Sequence, residues 1–257
     1  MTNQEKWIAY KTLVAKEIHR FARLWVQTIV PPAITITLYF VIFGSLIGSR
    51  IGEMGGFNYM QFVVPGLIMM AIITNSYGNV VSSFFGAKFQ NFVAEMLVSP
   101  MPNWIILAGY TTGGIARGLC VALVVTVLSL FFTQLPIYNL LAVVGMVLMT
   151  SVLFSLLGFI NAVYAESFDD VSVIPTFVLT PLIYLGGVFY SVSLLPEFWQ
   201  WVSKLNPILY MVNGFRYGIL GVSDIHVGFA FGMCALFIVA AWSYAMYLLN
   251  VGKKLRV

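Results

Sequence analysis

Six apolar runs, at roughly 26–48, 59–85, 104–133, 138–165, 171–190 and 228–250, each reach the ~20 residues that a helix needs to cross a bilayer. In hydrocarbon each backbone N–H and C=O must find its partner inside the segment, so runs of this length fold as helices. The expected fold is an all-α integral membrane protein. It has six transmembrane helices, an N-terminal amphipathic interfacial helix, and an external helical hairpin between spans five and six.

Composition supports this. Hydrophobic residues make up 60% of the chain and charged residues 9%, with mean hydropathy +0.94; a soluble domain carries about 25% charge. Thirteen bases and nine acids cannot cover a water-facing surface for 257 residues. A cytosolic enzyme, a secreted disulfide scaffold and a disordered chain are excluded. The polar stretch before the first run is too long for a signal-peptide n-region, and no small-residue cleavage site follows at the usual distance. That run therefore reads as a retained span. Residues 1–257 read as one transmembrane domain, with 1–25 interfacial, 26–190 holding spans one to five, 191–227 external and 228–250 the last span.

Lys and Arg orient the spans. Lys6, Lys11, Lys16, Arg20, Arg23, Lys88, Lys253, Lys254 and Arg256 mark one side, and Arg50, Lys204 and Arg216 the other. The first side reads as cytoplasmic, with both termini inside. The net charge of +4 comes without a long basic run, so nucleic acid is not an expected partner. Segment 191–227 is broken by Pro196 and Asn206-Pro207. It reads as a hairpin dipping into the outer interface, where the amphipathic rings of Trp199, Trp201, Tyr210 and Tyr217 are at home.

The first 25 residues place Trp7, Tyr10, Val14, Ile18, Phe21 and Trp25 on one helical face. Glu5, Thr12, Lys16, Arg20 and Arg23 fall on the other. Such a helix lies along the inner leaflet, either as an anchor or as a lever joining a cytoplasmic partner to the first span. Between spans two and three, Phe89, Phe92, Val93 and Met96 follow helical spacing before Pro100 and Pro102. This segment is either a connector or a helix shaped for a partner's groove.

Within the spans the polar residues are few. Thr74, Asn75, Ser76, Tyr77, Asn79, Ser82 and Ser83 fall in the second, and Asn75 and Asn79 share a face. That face needs protein or a watery path beside it. Arg117 is the one base inside a span. The third run is about 45 Å long, so Arg117 either snorkels to the inner headgroups or pairs with Glu166 or Asp169. Glu166, Asp169 and Asp170 form either a solvated turn or a docking contact. Pro175, Pro181 and Gly186-Gly187 make the fifth span the one expected to bend.

No span offers a histidine or an interior carboxylate for catalysis or proton coupling. His19 and His226 are isolated, so no metal site is expected, and Cys120 and Cys234 read as packing thiols. No G-x-x-x-x-G-K-[ST] is present. Uphill transport would draw its energy from another chain.

Leu179, Leu182, Leu185-Gly186, Val188 and Leu195-Pro196, followed by Pro207-Ile208, Tyr210 and Arg216, form a pattern that resembles the C-terminal signature of the ABC-2 type transporter permeases. Glu95-Met96-Leu97-Val98-Ser99-Pro100 is similar to that family's inner coupling helix, without its upstream Arg and Gly-Thr. The nearest likeness is to bacterial inner-membrane transport permeases, alongside antibiotic-resistance and polysaccharide exporters.

The resemblance implies a membrane subunit of an exporter, working as a homodimer with a separate ABC ATP-binding subunit. ATP and magnesium would sit on that partner and no cofactor on this chain. Lys88, Phe89, Phe92, Glu95, Met96, Lys16 and Arg20 would couple to the ATPase, with the N-terminal helix as lever. Thr74, Asn75, Asn79, Pro175, Phe177 and Pro181 would line the path near the dimer axis. An autonomous channel or secondary transporter is the alternative reading.

Overall fold

The computed structural model describes residues 1–252, with all their side chains but those of 45–47, 49 and 51. Lys253, Lys254 and Arg256, which entered the orientation argument, lie outside the described residues. Helix dominates, as the apolar runs require. An N-terminal helix, Asn3–Arg23, begins at a capping box in which Thr2 and Glu5 each accept the other's backbone N–H. The six helices long and apolar enough to span are Trp25–Gly44, Tyr59–Phe89, Asn103–Ser129, Leu140–Tyr164, Phe168–Leu185 and Val227–Val251.

The second span, Tyr59–Phe89, forms the core. It is the most buried of the six and packs most heavily against the third and fourth. Small residues set these approaches. A Cβ on Gly158 would strike the Tyr77 carbonyl, and one on Gly114 would strike Ser155 Oγ. This follows the rule for membrane interfaces, where dispersion and close backbone approach replace the hydrophobic effect.

The spans alternate in direction. Lys88 Nζ, at the end of the second, donates to the carbonyls of Val163 (2.6 Å) and Ala165 (2.8 Å) at the end of the fourth. Asn103, at the start of the third, reaches Asn250 Oδ1 at the end of the sixth (2.9 Å). This basic end also holds the short helix Phe92–Val98.

The opposite end carries a small β-hairpin, Glu53–Met54 with Phe57–Asn58. Its Gly55 and Gly56 supply the two positive-φ turn residues. It also carries segment 191–227, with a 3-10 turn Val192–Leu194 and the helices Glu197–Lys204 and Pro207–Leu220.

Two expectations change here. Phe89 closes the second span, Asn91 turns through the left-handed region (φ 63°), and only then does Phe92–Val98 begin. Phe89 therefore does not share a helix with Phe92 and Met96. Tyr210, expected at the interface, is 5% exposed and donates to the Lys204 carbonyl. Trp199 and Trp201 do remain exposed.

The fifth span is irregular where its prolines fall. The α-helix Phe168–Ile174 widens to a π turn over Pro175–Leu179 before α-helix resumes at Thr180–Leu185. The Thr180 hydroxyl donates to the Pro175 carbonyl at 2.9 Å, satisfying backbone that proline chemistry disturbs.

Gly66→Ala should lower stability by about 1–3 kcal/mol. Its Cβ would fall 2.8 Å from Val188 Cα and against the Val188 carbonyl, and backbone cannot swing aside as a side chain can. Thermal unfolding in detergent measures this, and an unchanged melting temperature would refute it.

Candidate functional site

The polar residues of the second span meet two other helices. Asn79 accepts twice from Arg20 Nη2, at its carbonyl oxygen (2.8 Å) and at Oδ1 (2.9 Å). One turn away, Asn75 Oδ1 accepts from Arg117 Nη2 at 3.1 Å. Asn75 also donates to the Ala71 carbonyl (2.9 Å), which holds its amide oxygen toward the third span. Two asparagines four residues apart thus hold two arginines, one from the N-terminal helix and one from the third span.

The carboxylate of this site is Glu17, fully buried. Its Oε1 accepts from Ser83 Oγ at 2.7 Å. Lys16 Nζ stands 3.5 Å from Oε1, and Arg20 Nε stands 3.6 Å from Oε2. Lys16 also donates to Tyr110 Oη (3.3 Å) and lies 5.1 Å from the centre of its ring. Tyr10 and Thr112 share a hydrogen bond at 2.8 Å.

Close approach here depends on Gly109 and Gly113 of the third span. A Cβ on the first would overlap Leu13, and one on the second would come 2.5 Å from Glu17 Cβ. Leu13, Glu17 and Phe21 are the buried stripe of the N-terminal helix.

This differs from the expected amphipathic helix. Lys16 and Arg20 point into the bundle, because the only described carboxylate they pair with lies between them. The expected aromatic face is split: Trp7, Ile18 and Trp25 are exposed, whereas Phe21 is buried and Tyr10 bonds to Thr112. Glu17 was not anticipated. Its signal was an acid in the i, i+4, i+8 stripe Leu13–Glu17–Phe21, matched by the Gly109-x-x-x-Gly113 spacing on the helix it meets.

Arg117 does not pair with Glu166 or Asp169. It lies fourteen residues into Asn103–Ser129, far from the acidic turn, and Asn75 is its hydrogen-bond partner. The acidic turn caps a helix. Asp170 Oδ2 accepts from the backbone N–H of Glu166 and Ser167 (3.0 Å each), and Ser167 Oγ accepts from Asp170 N (3.2 Å). Asp169 is exposed in the first turn of that helix.

Lys88, expected to face a partner, is buried on its two carbonyl acceptors. Phe89 and Phe92 are exposed, as is Glu95; Met96 is half-buried.

The expected path residues are not brought together within one chain. Thr74 and Asn75 line a cavity with Gln27 and Arg117, between the first, second and third spans. Pro175, Phe177 and Pro181 lie on the fifth span, and Phe177 is 73% exposed. Its neighbours Val178 and Leu182 face Tyr77 across a separate cavity.

At the opposite end, Arg216 is fully buried. It donates to the carbonyls of Gly187 (2.7 Å) and Phe62 (3.3 Å) and lies 3.8 Å from the Phe62 ring centre. Burial lowers its guanidinium to about 10, and Asp224 opposes that shift. Pro207 opens its helix with Asn206 as cap. Of the signature residues, Arg216 thus ties the helix Pro207–Leu220 to the second span, Tyr210 packs on Phe229 of the sixth, and Pro207 starts the helix that carries both. Among the described residues no metal-binding group is present, and Cys120 and Cys234 are free thiols.

The sequence profile of the ABC-2 type transporter matches residues 8–220, most of this architecture. The chain belongs to the ABC-2 type transporter family. It is 59% identical over 250 residues to the inner membrane transport permease YadH of Escherichia coli K12, covering 97% of this chain and 98% of the relative. It is 22% identical over 214 residues to nodulation protein J of Rhizobium meliloti, covering 83% and 82% of the two chains. The same-named protein of Rhizobium leguminosarum bv. trifolii shares 24% over 196 residues, 74% and 75% of the two chains. The chain is a membrane transport permease, a multi-pass protein of the inner membrane.

Glu17→Ala should destabilise the permease by about 2 kcal/mol, less than the roughly 3–5 of a fully buried pair because Lys16 is half exposed. Glu17→Gln, which keeps an acceptor for Ser83, should cost less. Equal melting temperatures for the two variants would remove the Ser83 hydrogen bond from the account.

Proposed function

We propose that this permease is the membrane-spanning subunit of an ATP-driven exporter. It works as a homodimer with two separate ATP-binding subunits, which carry the ATP and magnesium. The observation that carries this reading is the bonding of the N-terminal helix to the second span. Arg20 on Asn79 and Glu17 on Ser83 tie the helix to the polar face of the core. A push on that helix therefore moves the second span rather than sliding past it.

Beside it lies a surface for the partner. Phe89, Phe92, Val98 and Phe168 are exposed at the basic end, around Glu95. The bias of Lys and Arg toward this end supports placing it in the cytoplasm, where ATP is found.

The path runs along Thr74, Asn75 and Asn79. In the dimer, Pro175, Phe177 and Pro181 of the fifth span join it at the subunit boundary. Support for that placement is the fifth span's exposure, the greatest of the six. Its π turn supplies a place to bend without breaking the backbone's hydrogen bonds.

Glu95→Ala should insert and fold normally, yet its complex with the ATP-binding subunit should hydrolyse ATP without transport. Normal transport by this variant would remove Glu95 from the coupling surface. Purification in mild detergent should bring down a P-loop ATPase with the permease. Solute flux in liposomes from the permease alone, with no ATPase present, would overturn the exporter reading in favour of a channel or secondary transporter.

A further inference from the structure

Arg117 is an unusual charge to find where it is. It lies fourteen residues from one end of its helix and twelve from the other, well inside the span by count. Asn75, its partner, is equally central in Tyr59–Phe89. A charge at that depth is normally neutralised by a counter-charge. Among the described residues Arg117 has no ion pair. Glu17 is already shared by Lys16 and Arg20. Of the five N–H donors of a guanidinium, Arg117 uses one on Asn75, and its Nε is buried without a partner.

Beside this cation is a cavity of about 330 Å³ with two kinds of wall. Gln27, Thr35, Thr74, Asn75 and Arg117 are its polar lining, and Ile36 and Met70 are among its apolar lining. The Thr74 hydroxyl spends its proton on the Met70 and Ala71 carbonyls, and Asn75 spends one of its two amide protons on Ala71. Arg117 is thus the cationic donor of the polar wall, held in place by Asn75.

We propose that Arg117 and this cavity bind the oxyanion, phosphate or carboxylate, of an amphipathic solute whose apolar body lies along Ile36 and Met70. A guanidinium matches a planar or tetrahedral oxyanion with paired N–H donors, and low dielectric makes that pairing selective. The bound anion supplies the counter-charge that the described residues do not provide. This deepens the reading of the second span's polar face as part of the transport path and rests on it.

The test is binding without nucleotide. The full-length permease, in neutral-detergent micelles, is titrated with dodecyl phosphate, zwitterionic dodecylphosphocholine or inorganic phosphate, and retention is read by native mass spectrometry. Dodecyl phosphate should bind about tenfold tighter than dodecylphosphocholine. Arg117→Gln should abolish that preference. Asn75→Asp, nearly isosteric, should abolish it too by giving Arg117 an internal carboxylate, so the result does not depend on Arg117→Gln folding. Arg117→Lys should keep part of it.

Equal binding of the two amphiphiles by the unaltered chain, or a preference that survives Asn75→Asp, overturns the proposal. Inorganic phosphate competing as well as dodecyl phosphate overturns the amphiphile assignment in favour of a free anion. Because no ATP is involved, absence of an ATPase partner would sink the exporter reading and leave this result standing.

Discussion

Hydrocarbon offers no water to a charged or amide side chain, so each one inside a span must be answered by another residue. In this permease the answer is concentrated on one turn of the second span. Asn79 takes Arg20 from the N-terminal helix and Asn75 takes Arg117 from the third span. Glu17, the buried carboxylate of the group, is set between Lys16 and Arg20. Three elements that hydrophobicity alone would leave free to slide are thereby held in one register. The third span's glycines let the N-terminal helix come close enough for these short bonds to form.

The two ends of the molecule solve a different problem. Lys88 at the basic end donates to the Val163 and Ala165 carbonyls, released at the C-terminus of the fourth span, and Arg216 at the hairpin end joins the Gly187 carbonyl to that of Phe62 in the second span. A helix end leaves several carbonyls without an intrahelical partner, and a cation also suits the negative end of the helix dipole. Lys88 shows how a residue that looks available for a partner can be fully employed within its own chain. The exposed aromatic patch around Phe92, by contrast, has no such employment. It is the surface proposed above for the ATP-binding partner.

Much of the fold was legible. The six spans fall within a few residues of the hydropathy runs, and the irregular fifth span was marked by Pro175 and Pro181. The external helices followed from Pro196 and Asn206-Pro207. The site was legible only in part. Asn75 and Asn79 were visible as a shared polar face, but their partners were not. For Arg117 the sequence left open snorkelling or a pair with Glu166 or Asp169, whereas it lies at mid-helix beside an amide. Glu17 was overlooked because an acid flanked by bases in such a helix reads as solvated until packing removes the solvent. Tyr210 was misplaced because an amphipathic ring suits an interface and a buried corner equally well.

The sequence by itself determined the solvent, the number of spans and their boundaries. These depend on local hydropathy and on the hydrogen-bonding needs of a backbone in lipid, both of which are written along a single helix. Only the tertiary structure decided which helix answers which polar residue. A side chain's spacing tells the face it occupies and that it must be satisfied. The neighbour that satisfies it depends on how closely two helices can approach, and that is set by glycines and side chains far apart in the chain.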